Sequence, residues 1–208
     1  MGVRITPTER LPAGTGSTYI MHATSAESNV LNIAASLGMN TKVLSAFVKG
    51  SPIAAFIKGE LRRRNIAYEG PEVDQGGPWG YRHQFNIADS GFGVRAPRVH
   101  NDRAGEVGRM LKVEDFDTDR IFKQEGAEMM HISGLFAALS PETGSMCLKL
   151  SEIARETGTK ISFDLNHRAS FWKNREQELR DIFTAIADRA DVLIGNEEDY
   201  QLALGLKG

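Results

Sequence analysis

The stretch from Lys160 to Asp199 constrains the fold more than any other part of the chain. It runs through an apolar segment, a polar loop, an amphipathic segment, a second apolar run and a second polar loop. Lys160 to Leu165 follows a Gly158-Thr159 turn and has the length of a buried strand. From Arg175 to Arg189, Leu179, Ile182, Phe183 and Ile186 recur at spacings of three and four, which predicts a helix with one apolar stripe. Asp191 to Gly195 is the next strand. Strand, helix and strand in this order predict a parallel crossover, so the two strands end on the same side. One ends in Asp164, Asn166, His167 and Arg168, the other in Asn196, Glu197, Glu198 and Asp199. Open α/β sheets bind ligands just beyond the carboxyl ends of their strands. Strand ends are also commonly polar because they are solvated. Both readings, a solvated rim and the mouth of a site, remain open on the residues alone.

The remaining composition excludes more than it selects. A chain of 208 residues with 41% apolar content can bury the core of one α/β domain. A net charge of −2 provides no long-range field for nucleic acid or an anionic membrane. Cys147 is the single cysteine, which excludes an intramolecular disulfide and a cysteine-based zinc site, and fits a reducing compartment. Its place beside Met146 and Leu150 on a predicted helix favours a core or boundary thiol over a nucleophile. No apolar run is long enough for a helical membrane span and no signal peptide opens the chain, so a cytoplasmic protein is expected.

Taken in order, Met1 to Tyr19 is rich in Thr, Pro and Gly and is expected as an extended surface segment. Ser25 is placed to cap a helix over 26–37, with Val30, Ile33, Ala34 and Leu37 as its buried stripe and Gly38 as its stop. Asn29 and Asn32 lie one turn apart on it, available to a ligand or simply solvated. A strand is expected over 41–48. A second helix starts at Pro52, with Ile53, Phe56, Ile57 and Leu61 inward and the arginines after Leu61 as a solvated end. Over 66–100, Gly-Pro and Gly-Gly punctuation predicts an antiparallel β excursion, a lid or an oligomer contact. Arg103 in VHNDRAG offers a fork of donors to a carboxylate or hydroxyls, or pairs with Asp102. A strand over 128–132 and a helix capped by Ser140 with Pro141 first complete the pattern. The sum is a doubly wound α/β sheet with a small antiparallel lid.

The ordered set SAESNVLNIAASLG, RVHNDRAG, MMHISGLFAALSPET, FDLNHR followed by FW, and LIGNEED resembles the ribokinase-like (PfkB) carbohydrate kinases, and within them the 2-keto-3-deoxygluconate kinase branch. The resemblance runs through almost the whole chain. It implies ATP-dependent phosphorylation of a sugar or sugar acid, with Mg²⁺. Asn166, Asn196 and Asp199 then match nucleotide-side positions, Asp199 standing where the family has Glu. Ser25, Asn29, Asn101, Arg103 and Arg168 match acceptor-side positions. Thr24-Ser25 replaces the usual Gly-Gly and Asn101 the usual Tyr. The family's catalytic base, anion hole and most of its adenine pocket belong to a second half that this chain does not show, and its opening strand is not evident. The expectation is therefore a truncated member, residues 1–208 forming a partial domain with its lid at about 66–100, inactive alone, not binding ATP and Mg²⁺ tightly, and self-associating. Two alternatives stand beside it: a non-catalytic sugar-binding or assembly module, and a related kinase for fructose, ribose or a nucleoside.

Overall fold

A computed structural model describes residues 1–206. The chain divides into two compact units, Met1–Gly108 and Arg109–Gly208. Each unit has its own core.

The first unit opens with β1 (Gly2–Pro7) and β2 (Tyr19–Thr24), an antiparallel pair. This corrects the expectation of an extended surface segment: Val3 is fully buried and sits in the unit's core. The alternation of Val3 and Ile5 with Arg4 and Thr6 is what a half-buried strand requires. Ser25 then caps α1 (Ala26–Ser36) by accepting from the amide of Ser28, whose hydroxyl accepts from Ser25 in return. β3 (Lys42–Leu44) and β4 (Phe47–Val48) follow, so the strand expected over 41–48 is broken at Ser45-Ala46. Ser51 caps α2 (Pro52–Arg63), which places Ile57 and Leu61 in the core beneath Val43 and Phe47.

β5 (Ala67–Glu69) runs parallel to β3, and β6 (Glu72–Val73) parallel to β4. The sheet that contains antiparallel pairs is built elsewhere. β7 (Phe85–Asp89) lies parallel to β1 and antiparallel to β8 (Arg98–Asp102), giving the order β2-β1-β7-β8. Residues 66–73 therefore do not belong to the lid-like sheet, whose other half comes from the first 24 residues. Turn residues located the breaks but carried no information on which runs pair.

The apolar stripe foreseen on α1 is also corrected. Val30, Ile33 and Leu37 are 42%, 65% and 75% exposed, while Ser28 and Ala35 face inward. The period was right and its inward phase was not, because small residues sit where the helix approaches its neighbours.

The second unit follows the sequence closely. β9 (Met129–Ser133) leads through α3 (Gly134–Ala137) into α4 (Pro141–Thr157), capped by Ser140 and ended by Gly158 in the left-handed region (φ 78°). β10 (Lys160–Asp164) continues through α5 (Ala169–Trp172) and α6 (Glu176–Ala187) to β11 (Val192–Ile194) and α7 (Glu197–Leu204). The three strands are parallel in the order β11-β10-β9. Their core face, Ile132, Phe163 and Leu165, packs with Cys147, Leu179, Phe183 and Ile186 from α4 and α6. Burying each such side chain contributes about 1.5–3 kcal/mol. No helix of the described residues is long and apolar enough to cross a membrane.

Candidate functional site

Parallel pairing brings the carboxyl ends of β9, β10 and β11 side by side, and one hydrogen-bonded chain links all three. Asn166 holds a positive φ of 38°, a conformation Asn tolerates better than most residues. Its Nδ2 donates to Ser133 Oγ at the end of β9, at 2.9 Å. The next amide, His167 N–H, donates to Asp199 Oδ1 at 3.1 Å. Asp199 Oδ2 accepts from the amide of Asn196, and Asn196 Oδ1 accepts from the amide of Asp199, closing a capping box at the start of α7. Asn166, Asn196 and Asp199, three positions singled out from the sequence, are thus brought together through His167.

Asn196 and Asp199 each have a definite local role, since they satisfy amides that the first turn of α7 cannot bond internally. A carboxylate accepts about four hydrogen bonds, so Asp199 keeps capacity for a further donor. Asp164, at the end of β10, has its carboxyl pushed above the usual range, mainly by burial; the neighbouring Asp199 charge acts in the same direction, against His131 and the Asn166 amide. Burial likewise holds the His167 imidazole below its ordinary value, opposed by Asp199 and Glu198. Its ring lies 4.9 Å from that of Trp172. Perturbed acids and bases gathered at strand ends mark candidate sites. In the sequence His167 carries no signal beyond membership of a polar loop, Ser133 none beyond a strand end, and Asp164 is offered only as that loop's acid and a partner for Arg168.

Arg168 does not pair with Asp164. Its Nη1 donates to the carbonyl of its neighbour His167, at 2.7 Å. The alternative partner expected for Arg103 is likewise replaced. Arg103 Nη1 bonds both carboxylate oxygens of Glu106, at 2.9 and 3.1 Å, and that carboxylate is 4% exposed. Asp102 is taken instead by Arg82. In the first unit Ser25 is committed to its helix cap, while Asn29 and Asn101 are exposed. Among the described residues no group of three or more His, Cys, Asp or Glu side chains is arranged to hold a metal ion.

No family model matches the chain. A 2-dehydro-3-deoxygalactonokinase of Haloferax volcanii is 28% identical over 207 residues, covering 99% of this chain and 61% of that protein. A 5-dehydro-2-deoxygluconokinase of Clostridium perfringens is 31% identical over 104 residues, half of this chain and 29% of its own length. Among solved structures, a 2-dehydro-3-deoxygluconokinase of Thermotoga maritima superposes with a TM-score of 0.84 at 26% identity, over 100% of this chain and 60% of the other. A PfkB family carbohydrate kinase of Listeria grayi gives 0.86 at 24% identity, over 100% and 62%. The chain spans about 60% of the length of these full-length matches. It is similar over almost its whole length to kinases of dehydro-deoxy sugar acids and has the α/β fold of the solved PfkB family kinase.

Proposed function

We propose that this chain serves the ATP-dependent phosphorylation of a sugar or sugar acid, with an acceptor of the 2-keto-3-deoxygluconate type. The observation that carries this reading is the chain of hydrogen bonds Ser133–Asn166–His167–Asp199–Asn196 across three parallel strand ends. Phosphoryl transfer depends on positioning and electrostatics more than on covalent chemistry by the protein. A network that fixes amides and one carboxylate before the ligand arrives suits that demand. The relatives' names, kinases of dehydro-deoxy sugar acids, support the acceptor class.

In this reading Asn166, Asn196 and Asp199 are the nucleotide-side residues, and the Asp199 carboxylate would help to hold Mg²⁺, which would supply charge neutralisation for the phosphates. Mg²⁺ sheds water reluctantly and commonly binds through one or two carboxylates plus substrate phosphates, which fits a single available carboxylate. By the resemblance, Ser25, Asn29, Asn101 and Arg103 of the first unit and Arg168 of the second match acceptor-binding positions. The acceptor oxygen attacks the γ-phosphorus as the bond to ADP breaks; none of the described residues is assigned as the base. A cytoplasmic location belongs to the same reading.

A coupled ADP-release assay over sugars and sugar acids, run beside calorimetric titration of the same acceptors and of ATP·Mg²⁺, tests it. Saturable binding with the sugar acids preferred is the expected result. A folded chain that binds neither acceptor nor nucleotide sinks the reading. Self-association is expected too, because Val30, Ile33 and Leu37 line one exposed side of α1 and such faces tend to be covered. A light-scattering mass equal to the 22.9 kDa monomer would count against that.

A further inference from the structure

Four helices of the described residues begin at a serine. Ser25, Ser51 and Ser140 each turn the side-chain oxygen onto an amide of their own helix, the ordinary use of a serine there. Ser133 does not. It stands before α3 and makes no cap bond. Its oxygen is given instead to Asn166, 33 residues away, whose Nδ2 donates to it at 2.9 Å. Ser133 is fully buried, so this bond is not exchanged for one to water.

Asn166 is tethered on both sides. Its main-chain N–H bonds the carboxyl of Asp164, its side chain reaches Ser133, and the backbone between holds a φ of 38°. Non-glycine residues enter this region at a cost and stay where their surroundings hold them. The conformation has its effect one residue on, where the amide of His167 meets Asp199 Oδ1 at 3.1 Å. Asp199 Oδ2 belongs to the cap of α7, through the amide of Asn196. One oxygen of this carboxylate is thus held from the end of β10 and the other from α7, and its orientation depends on both.

We propose that Ser133 is a positioning residue. By holding Asn166 in the left-handed region it aims the His167 amide, and so orients the Asp199 carboxylate that would help to hold Mg²⁺. Ser133 itself touches neither nucleotide nor ion. This rests on the nucleotide-side reading of Asp199 and extends it to a residue on β9, two strands from the one that leads into α7. Groups that orient a metal-facing ligand from behind change metal affinity about ten- to a hundredfold when removed.

Ser133→Ala and Asn166→Gly test the assignment in the full chain; glycine accepts the same backbone angles without the tether. Amide hydrogen exchange reads the geometry directly. Both variants should lose protection at His167 by about tenfold, the order expected for one hydrogen bond. The Phe163 amide, inside β10, should keep its protection. The double variant should lose no more than either alone, because the hydroxyl acts through Asn166. Calorimetry with ATP, in Mg²⁺ and again in EDTA, reads the consequence. Ser133→Ala should weaken binding about tenfold in Mg²⁺ and leave it unchanged in EDTA, a split that a general loss of stability does not produce. Unchanged protection at His167 in both variants overturns the proposal, whatever the chain binds. An equal loss in Mg²⁺ and EDTA, or equal affinity of wild type and Ser133→Ala, also overturns it and leaves the kinase reading standing. A wild-type chain that binds ATP in neither condition overturns the kinase reading and, with it, the role of Ser133 toward Mg²⁺.

Discussion

Gly134→Ala is expected to destabilise the second unit by about 3 kcal/mol or more, at the upper end of what one added methyl does in a packed interior. Gly134 stands where β9 turns into α3. A Cβ built there would lie 2.0 Å from the carbonyl oxygen of Leu165 and 2.7 Å from Cε1 of Phe183. The first neighbour is backbone at the end of β10, and the second is a fully buried ring at the centre of the core. Neither yields without moving a strand or an aromatic packed edge-on to Phe163 and Trp172. The closeness has a use. It lets the ends of β9 and β10 approach, and Asn166 reaches Ser133 immediately beside this contact. Gly144→Ala is the comparison. There the nearest atoms are the flexible tip of Ile182 at 3.0 Å and the Ala137 carbonyl oxygen at 3.1 Å. The position is inside α4, where alanine is favoured over glycine by roughly 1 kcal/mol. Urea unfolding should therefore show a large loss for Gly134→Ala and a change within about 1 kcal/mol for Gly144→Ala. Matching midpoints for Gly134→Ala and wild type would show that the close approach is not needed.

The second unit was legible in the sequence because its signals are local. Caps at Ser140 and Asn196, the stop at Gly158 and the period of α6 each act within a few residues of themselves. Parallel order then follows from strand–helix–strand succession. The first unit was less legible because its decisive pairings are distant. β1 joins β7 across some eighty residues, and no periodicity within Gly2–Pro7 names that partner. For the same reason Arg103 stood out: a charged motif is visible in sequence, whereas the carboxylate that occupies it is identified only by geometry. Glu106 lies three residues on, a spacing that matters in helices, and this segment was not read as one. At the strand ends of the second unit the residue types were foreseen. Their connection through Ser133 and the His167 amide was not, since a backbone donor carries no signature in the sequence.

Acidification is expected to loosen the first unit through His83. The ring is 3% exposed, and each of its nitrogens meets the backbone. Nε2 accepts from the amide of Val48 at 3.3 Å, so the ring is neutral there and Nδ1–H donates to the carbonyl of Met1 at 3.1 Å. Protonation would turn the Nε2 acceptor into a donor facing a donor. Burial, the largest cause, pushes the imidazole from 6.5 down to about 4, and the carbonyl of Met1 only partly opposes it. The folded value is below the unfolded one, so the unfolded chain takes up its proton first as pH falls. The contribution of His83 is complete above about pH 6.5, is lost progressively between there and about pH 4, and changes no further below. A separation of about 2.5 units corresponds to roughly 3 kcal/mol over the whole range, and to about 2 kcal/mol by pH 5. Carboxylates in ion pairs, such as Asp89 with Arg95, weaken in an overlapping window, so the comparison needs a variant. His83→Gln keeps an acceptor and a donor but does not titrate. Hydrogen exchange at the Val48 amide, corrected for its intrinsic rate, should lose protection about twentyfold between pH 7 and pH 5 in wild type and change far less in His83→Gln. Parallel slopes for the two proteins would remove His83 as the cause.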